Sequence, residues 1–219
     1  MDSSTQNDVV MKILVLGDPA TGKTSLIKRY VSNLFSAHHK TTIGVDFQLR
    51  HLTLENEGSG TTTVRMQLWD IAGQDRFGAI ARVYYKDAVG AMLVYDVTRP
   101  KTLEESMPKW KREIDAKVKL PNGKALPVVL CANKCDLQEM SPADSARLDA
   151  FCKDHGFVSW FETSAKTGEN IDTAARSLVK QVMLHRDIFD KTKGRERGAT
   201  GGVAFGGDAQ PGERDGSCC

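Results

Sequence analysis

Gly17-Asp18-Pro19-Ala20-Thr21-Gly22-Lys23-Thr24 matches the phosphate-loop pattern G-x-x-x-x-G-K-[ST], and its flanks decide the fold. Upstream, Val9-Val10-Met11-Lys12-Ile13-Leu14-Val15-Leu16 is a mostly apolar run suited to a buried strand. Downstream, Ser25-Leu26-Ile27-Lys28-Arg29-Tyr30-Val31 has helical periodicity. A strand, a glycine-rich loop and a helix in that order let backbone N–H groups converge on an anion, with a helix N-terminus behind them. Gly17, Asp18, Pro19, Ala20, Thr21, Gly22, Lys23, Thr24 and Ser25 are therefore the candidate phosphate-binding stretch. Lys23 can reach terminal phosphates, and the Thr24 hydroxyl can ligate Mg²⁺. The competing reading is a plain glycine turn between strand and helix.

Outward from the loop, strand-like runs alternate with helical ones. Strands are predicted near 9–16, 46–55, 62–70, 88–96, 127–132 and 157–163, and helices near 23–31, 102–118, 142–155 and 170–186. Glu57-Gly58-Ser59-Gly60 is a hairpin signal joining the second and third strands. The remaining alternation requires right-handed crossovers, hence an α/β fold with a mostly parallel six-stranded sheet, one antiparallel edge strand and helices on both faces. Ligands of such sheets bind beyond the carboxyl ends of the strands.

The chain has 219 residues, 40% of them hydrophobic, enough for one substantial core. A net charge of +2 argues against nucleic acid as a partner. No apolar run approaches the ~18 residues of a membrane span. The polar, acidic start is neither a signal peptide nor a presequence. The five cysteines form no framework: Cys131, Cys135 and Cys152 read as structural thiols rather than metal ligands, and Cys218-Cys219 stand at the end. The expected division is a flexible segment at 1–8, one domain at 9–188 and a flexible tether at 189–219. The tether is Gly-rich and charged from about Asp190, with an r.m.s. span on the order of 30 Å.

Three further motifs follow predicted strands. In Trp69-Asp70-Ile71-Ala72-Gly73-Gln74, the strand-ending Asp70 can hold Mg²⁺, Gly73 lets backbone N–H approach a γ-phosphate, and Gln74 can orient an attacking water. In Asn133-Lys134-Cys135-Asp136, a carboxylate can accept from guanine N1–H and N2–H₂, a pairing adenine cannot offer. The Lys134 stem can cover the base. Ser164-Ala165-Lys166 can meet the guanine oxygen with its backbone and flank the ring with Lys166.

In order and spacing these four motifs resemble the Ras superfamily of small GTPases across residues 10–186, and so imply a P-loop NTPase small G domain. Thr42-Ile43-Gly44-Val45-Asp46-Phe47, the run Trp69 to Phe77 and the terminal Cys218-Cys219 are similar to the Rab family. Ile71 in place of the usual Thr, with Arg82-Val83-Tyr84-Tyr85-Lys86, Leu120-Pro121-Asn122-Gly123 and the run Trp160 to Lys166, resembles the subgroup serving lysosome-related organelles.

The resemblance implies a GTP/GDP switch in vesicle trafficking or organelle biogenesis, with slow intrinsic hydrolysis that an activating protein stimulates. Thr42 would place its hydroxyl on Mg²⁺ and its N–H on the γ-phosphate, and Phe35 would lean against the guanine, its alternative being a core phenylalanine. Phe47, Trp69 and Tyr84 would face effectors. Cys218 and Cys219 would carry geranylgeranyl groups, two attachments being what stable anchoring takes. The implied partners are an exchange factor, a GTPase-activating protein, effectors reading both switches, a prenylation escort and a GDP-dissociation inhibitor. The chain would be a monomer on the cytoplasmic face of an endosome, lysosome-related organelle or Golgi-derived vesicle, with a cytosolic inhibitor-bound pool.

Pro19-Ala20 departs from the family, where a small or other residue is commonly followed by Gly. Pro19 has no N–H to give a phosphate, and its ring can crowd Gln74 and an incoming arginine. Altered stimulated hydrolysis is expected, and the alternative reading is a GTP-binding scaffold with impaired turnover. An adenine-specific ATPase or kinase conflicts with Asn133 to Asp136.

Overall fold

The computed structural model describes residues 7–38, 41–56, 60–73 and 81–185. Gln74, the Glu57 to Ser59 turn and the tail with Cys218 and Cys219 lie outside the described residues. A six-stranded sheet runs through the middle in the order β2-β3-β1-β4-β5-β6. Its strands are β1 (Asn7–Leu16), β2 (Val45–Asn56), β3 (Gly60–Ile71), β4 (Gly90–Asp96), β5 (Val128–Asn133) and β6 (Ser159–Thr163). β2 pairs antiparallel with β3 at one edge, and every other pairing is parallel.

The helices are α1 (Lys23–Ser32), a short α2 (Ala81–Tyr85), α3 (Met107–Lys117), α4 (Pro142–His155) and α5 (Ile171–Met183). β4 and β5 are buried at every residue, as strands covered on both faces must be. The core unites Ile13, Val15, Leu93, Leu130, Trp110 and Leu178 from both layers, all completely buried.

Element boundaries differ from the sequence expectation where local chemistry intervenes. The predicted helix 102–118 is a π-helical turn at Thr102–Ser106 that passes into α3 at Met107. Pro108 sits in the first α3 turn, where its missing N–H frees a carbonyl and a wider turn is tolerated. β6 begins at Ser159 rather than 157, because Gly156 at φ 70° ends α4 and Phe157 N–H is taken by Cys152 O at 2.9 Å. α4 opens on a capping box between Ser141 and Asp144.

Candidate functional site: a phosphate loop between two polar stitches

β1 feeds directly into the phosphate loop, and α1 opens at Lys23 behind Gly22. Gly17 (φ 145°) passes so close to β4 that a Cβ there would lie 2.2 Å from Val94 O. Lys23 folds back along the loop and donates to Gly17 O and Asp18 O, each at 2.9 Å. Burial pushes its ammonium down to about 8 against the pull of Asp70 and Asp18. A buried cation that donates to two carbonyl oxygens is a site that welcomes added negative charge.

Asp70, at the carboxyl end of β3, is buried and meets two hydroxyls. Thr24 Oγ1 donates to its Oδ2, Thr42 Oγ1 lies 3.5 Å from the same oxygen, and the two threonine oxygens are 2.8 Å apart. The other carboxylate oxygen, Oδ1, is buried with no hydrogen-bond partner among the described residues. Burial raises the Asp70 carboxyl above its ordinary value, opposed by the Thr24 bond and by Lys23. Among the described residues no three His, Cys, Asp or Glu side chains form a metal cluster. Two hydroxyls and one carboxylate nevertheless fit Mg²⁺, a hard ion that keeps several waters and takes phosphate oxygens rather than a protein-only cage.

The loop after β3 closes onto the phosphate loop from the other side. A Cβ on Gly73 would lie 2.5 Å from Pro19 N, so only glycine permits this approach. Ala72 N–H donates to Gly44 O at 3.0 Å, which ties the segment after Thr42 to the segment before Gln74.

The guanine motifs converge at the ends of β5 and β6. Ser164 Oγ donates to Asp136 Oδ1 at 2.6 Å, and Lys166 Nζ is 3.8 Å from Asp136 Oδ2. Asn133 is fully buried and stitches loops together: its Nδ2 donates to Thr21 O at 2.8 Å, while its Oδ1 accepts from Ala165 N at 3.2 Å. Arg29 of α1 adds a second tie, donating to Ala165 O at 3.0 Å and to Lys166 O. Phe35 is not a core residue; it is 40% exposed in the loop after α1.

Other expected residues take different places. The Asp18 carboxylate turns away from the loop interior to accept from Ser106 Oγ and, at 3.0 Å, from Trp110 Nε1. Phe47 and Trp69 face each other across the β2–β3 register with ring centroids 6.1 Å apart, and Phe47 is 60% exposed. Lys12 Nζ lies 3.6 Å from the Trp69 ring centroid on the same patch. Tyr84 packs against the core from α2. Cys131, Cys135 and Cys152 are free thiols, in keeping with a structural role.

Sequence reading missed Asp96, Arg99, Ser106 and Trp110. Asp96 accepts from Lys134 Nζ at 2.6 Å, from Arg99 Nε at 2.9 Å and from the Thr98 hydroxyl at 2.6 Å. Burial pushes its carboxyl up, but Lys134 and Thr98 more than reverse that and hold it below the usual carboxylate range. As an Asp at a strand's carboxyl end, it carried the same positional signal that singled out Asp70.

Comparison with known proteins agrees with this geometry. The Ras family model matches residues 12–184. The human Ras-related protein Rab-32 is 52% identical over 180 residues, covering 82% of this chain and 78% of that protein. Rab-32A of Dictyostelium discoideum is 53% identical over 184 residues, 83% of this chain and 82% of that one. The human Ras-related protein Rab-7L1 is 46% identical over 176 residues, 80% of this chain and 84% of its own. A phosphate loop, a hydroxyl–carboxylate pair beneath it and the stitched loops after β5 and β6 thus lie within a domain matched almost end to end: the chain belongs to the Ras family and, within it, to the Rab GTPases, which bind and hydrolyse GTP as switches in membrane trafficking.

Proposed function

We propose that the described pocket holds GTP or GDP with Mg²⁺, and that loss of the γ-phosphate is read out at an effector face around Phe47, Trp69 and Tyr84. The observation that carries this is the convergence of Thr24, Thr42 and an orphaned Asp70 oxygen beside a buried Lys23. Thr24, Thr42 and Asp70 are the metal donors, directly or through water, and Mg²⁺ bound there offsets the charge on the phosphates. Lys23 and the loop amides of Gly17 to Ser25 take the remaining phosphate charge. Pro19 has no N–H and donates nothing to the phosphates.

Asp136 selects guanine by accepting two hydrogen bonds that adenine cannot give, a kind of discrimination worth several orders of magnitude when the polar groups are buried. Lys134 and Phe35 flank the base, Ser164 holds Asp136 in place, and Ala165 and Lys166 meet the guanine oxygen side. Gln74, placed by its motif one residue beyond Gly73, orients the attacking water. An arginine delivered by an activating protein adds up to about 10⁵ in rate, or roughly 7 kcal/mol. The alternative of a scaffold that barely hydrolyses is not favoured, because the relatives belong to a family of GTPases.

The proposal extends to the tail: Cys218 and Cys219 accept geranylgeranyl groups through an escort, and a GDP-dissociation inhibitor extracts the GDP form. The membrane is that of a lysosome-related organelle or of an endosome or Golgi-derived vesicle supplying one. Calorimetry on Mg²⁺-replete protein tests the core of it. Tight binding of GDP and GTP, abolished by EDTA and not competed by ATP, is expected. Equal competition by ATP overturns the role given to Asp136. Gln74→Leu is expected to retain GTP in the presence of an activating protein, and wild-type turnover in that variant removes Gln74 from the mechanism.

A further inference from the structure

Ala20 stands at φ 62°, in the left-handed region where a side chain with a Cβ is strained. Its neighbour Pro19 has a fixed φ and no N–H, and the corner's own ties are a long Thr21 N–H to Asp18 O bond at 3.5 Å and the Thr21 hydroxyl donating to the same oxygen at 3.0 Å. Two groups reach it from outside. Gly73 packs against Pro19 N from the second loop, and Arg99 Nη2 donates to Pro19 O at 3.1 Å. The same guanidinium is fixed at its other edge, Nε donating to Asp96 Oδ2 at 2.9 Å. Asp96 is 1% exposed and receives Lys134 Nζ at 2.6 Å on that oxygen too. A continuous polar chain therefore runs from the strained corner to the guanine motif: Pro19 O, Arg99, Asp96, Lys134.

We propose that Arg99 is a positioning residue for nucleotide retention: it braces the Pro19-Ala20 corner and, through Asp96, ties that corner to Lys134. The inference rests on the nucleotide site proposed above. Lysine cannot replace it, because one ammonium on a flexible stem does not span both acceptors as a planar, forked guanidinium does. An ordinary surface ion pair contributes little and is indifferent to the backbone strain of a neighbour. The brace is distinguished from that case by its dependence on Ala20.

The test is release of a fluorescent GDP analogue from the full chain in excess Mg²⁺ for wild type, R99A, R99K, A20G and R99A/A20G. Arg99→Ala is expected to speed release about fivefold, the loss of one charge-assisted hydrogen bond. Arg99→Lys, which keeps the charge and the folded state, is expected to release at a rate near that of R99A. With glycine at 20 the corner is relaxed, and removing Arg99 is expected to change release by less than about twofold. Release by R99A or R99K at the wild-type rate overturns the proposal. So does an R99A effect equally large with glycine at 20, which would place the action of Arg99 on Asp96 alone. If wild-type protein takes up no GDP analogue, the nucleotide site itself is wrong; normal uptake with an inert Arg99 removes only the brace.

Discussion

A single methyl group sets the strain in the phosphate loop. At φ 62° the Ala20 Cβ crowds its own backbone, and glycine would remove that conflict. Against this stands the larger unfolded-state entropy of glycine, so the net gain is smaller than the relief. Ala20→Gly is expected to raise the unfolding free energy of the GDP-loaded protein by about 0.5–1 kcal/mol, read as a higher denaturant midpoint at unchanged slope. Thiol chemistry follows from burial at the same scale. Burial alone pushes Cys131 up to about 12, while burial followed by Asp149 takes Cys152 to about 12. Cys135 is pushed up to about 11 by burial and then by Glu169, toward which its Sγ is turned. Since the thiolate is the reactive form, at pH 8 all three are overwhelmingly neutral in the folded state. Iodoacetamide at that pH is expected to leave them unmodified in native protein and to label them on unfolding, as peptide mass mapping would show. Rapid native labelling of Cys131 would contradict the burial argument.

At the scale of elements, α3 serves the phosphate loop as much as the core. Its Trp110 is fully buried, and its indole N–H reaches Asp18 Oδ1 while Ser106, in the π-helical turn, holds Oδ2. Trp110→Phe deletes one donor and part of a packed ring, with an expected cost of about 2–3 kcal/mol in chemical denaturation. A cost below the error of the midpoint would show that the Asp18 contact contributes nothing. This contact also marks the limit of what could be read in the sequence. Among the described residues, periodicity found every strand and every α-helix but the short α2, because apolar runs and 3.6-residue repeats are local signals; the 3-10 turn Cys135–Leu137 is too short to carry one. The π-helical turn escaped, since Thr102 to Ser106 reads like the first turn of an ordinary helix, and its cause is Pro108 further on. The places of Lys23, Thr24, Asp70 and Asp136, at the loop and at strand ends, were legible because each belongs to a short local motif. The partners of Asp18, Arg99 and Trp110 were not, because they exist only once β4 and α3 are folded against the loop; Asp96 carried a strand-end signal, but its partners did not. Asn133 was expected at the base, but its stitching to Thr21 and Ala165 depends on partners 112 and 32 positions away.

On the scale of the whole molecule, rigid and adjustable parts are divided by burial. β4 and β5 are buried at every residue, and Asn133 ties the phosphate loop to the loop after β6. Asn133→Ala leaves Thr21 O and Ala165 N–H without that partner in a dry interior, an expected loss of about 2–4 kcal/mol accompanied by faster GDP release. The segments that can respond to a γ-phosphate lie elsewhere. Thr42 touches the pocket through Thr24 and Asp70, Gly44 O accepts from Ala72 N–H, and Gly73 lies close against Pro19, so the two segments are hydrogen-bonded to each other and both adjoin the site. Elements that move must come from the low-stability end of a fold, and exposed Ile43 and Phe47 mark the first segment as such. Exchange of amide hydrogens in the GDP form, compared with the form loaded with a non-hydrolysable GTP analogue, is therefore expected to differ at residues 41–47 and 71–73. Exchange in β4, β5 and α5 is expected to stay within error. Because Ala72 N–H and Gly44 O form one bond, the two segments should gain protection together. Protection gained in one segment and not in the other would mean that this bond does not couple them, and that effectors reading both would face two independent surfaces.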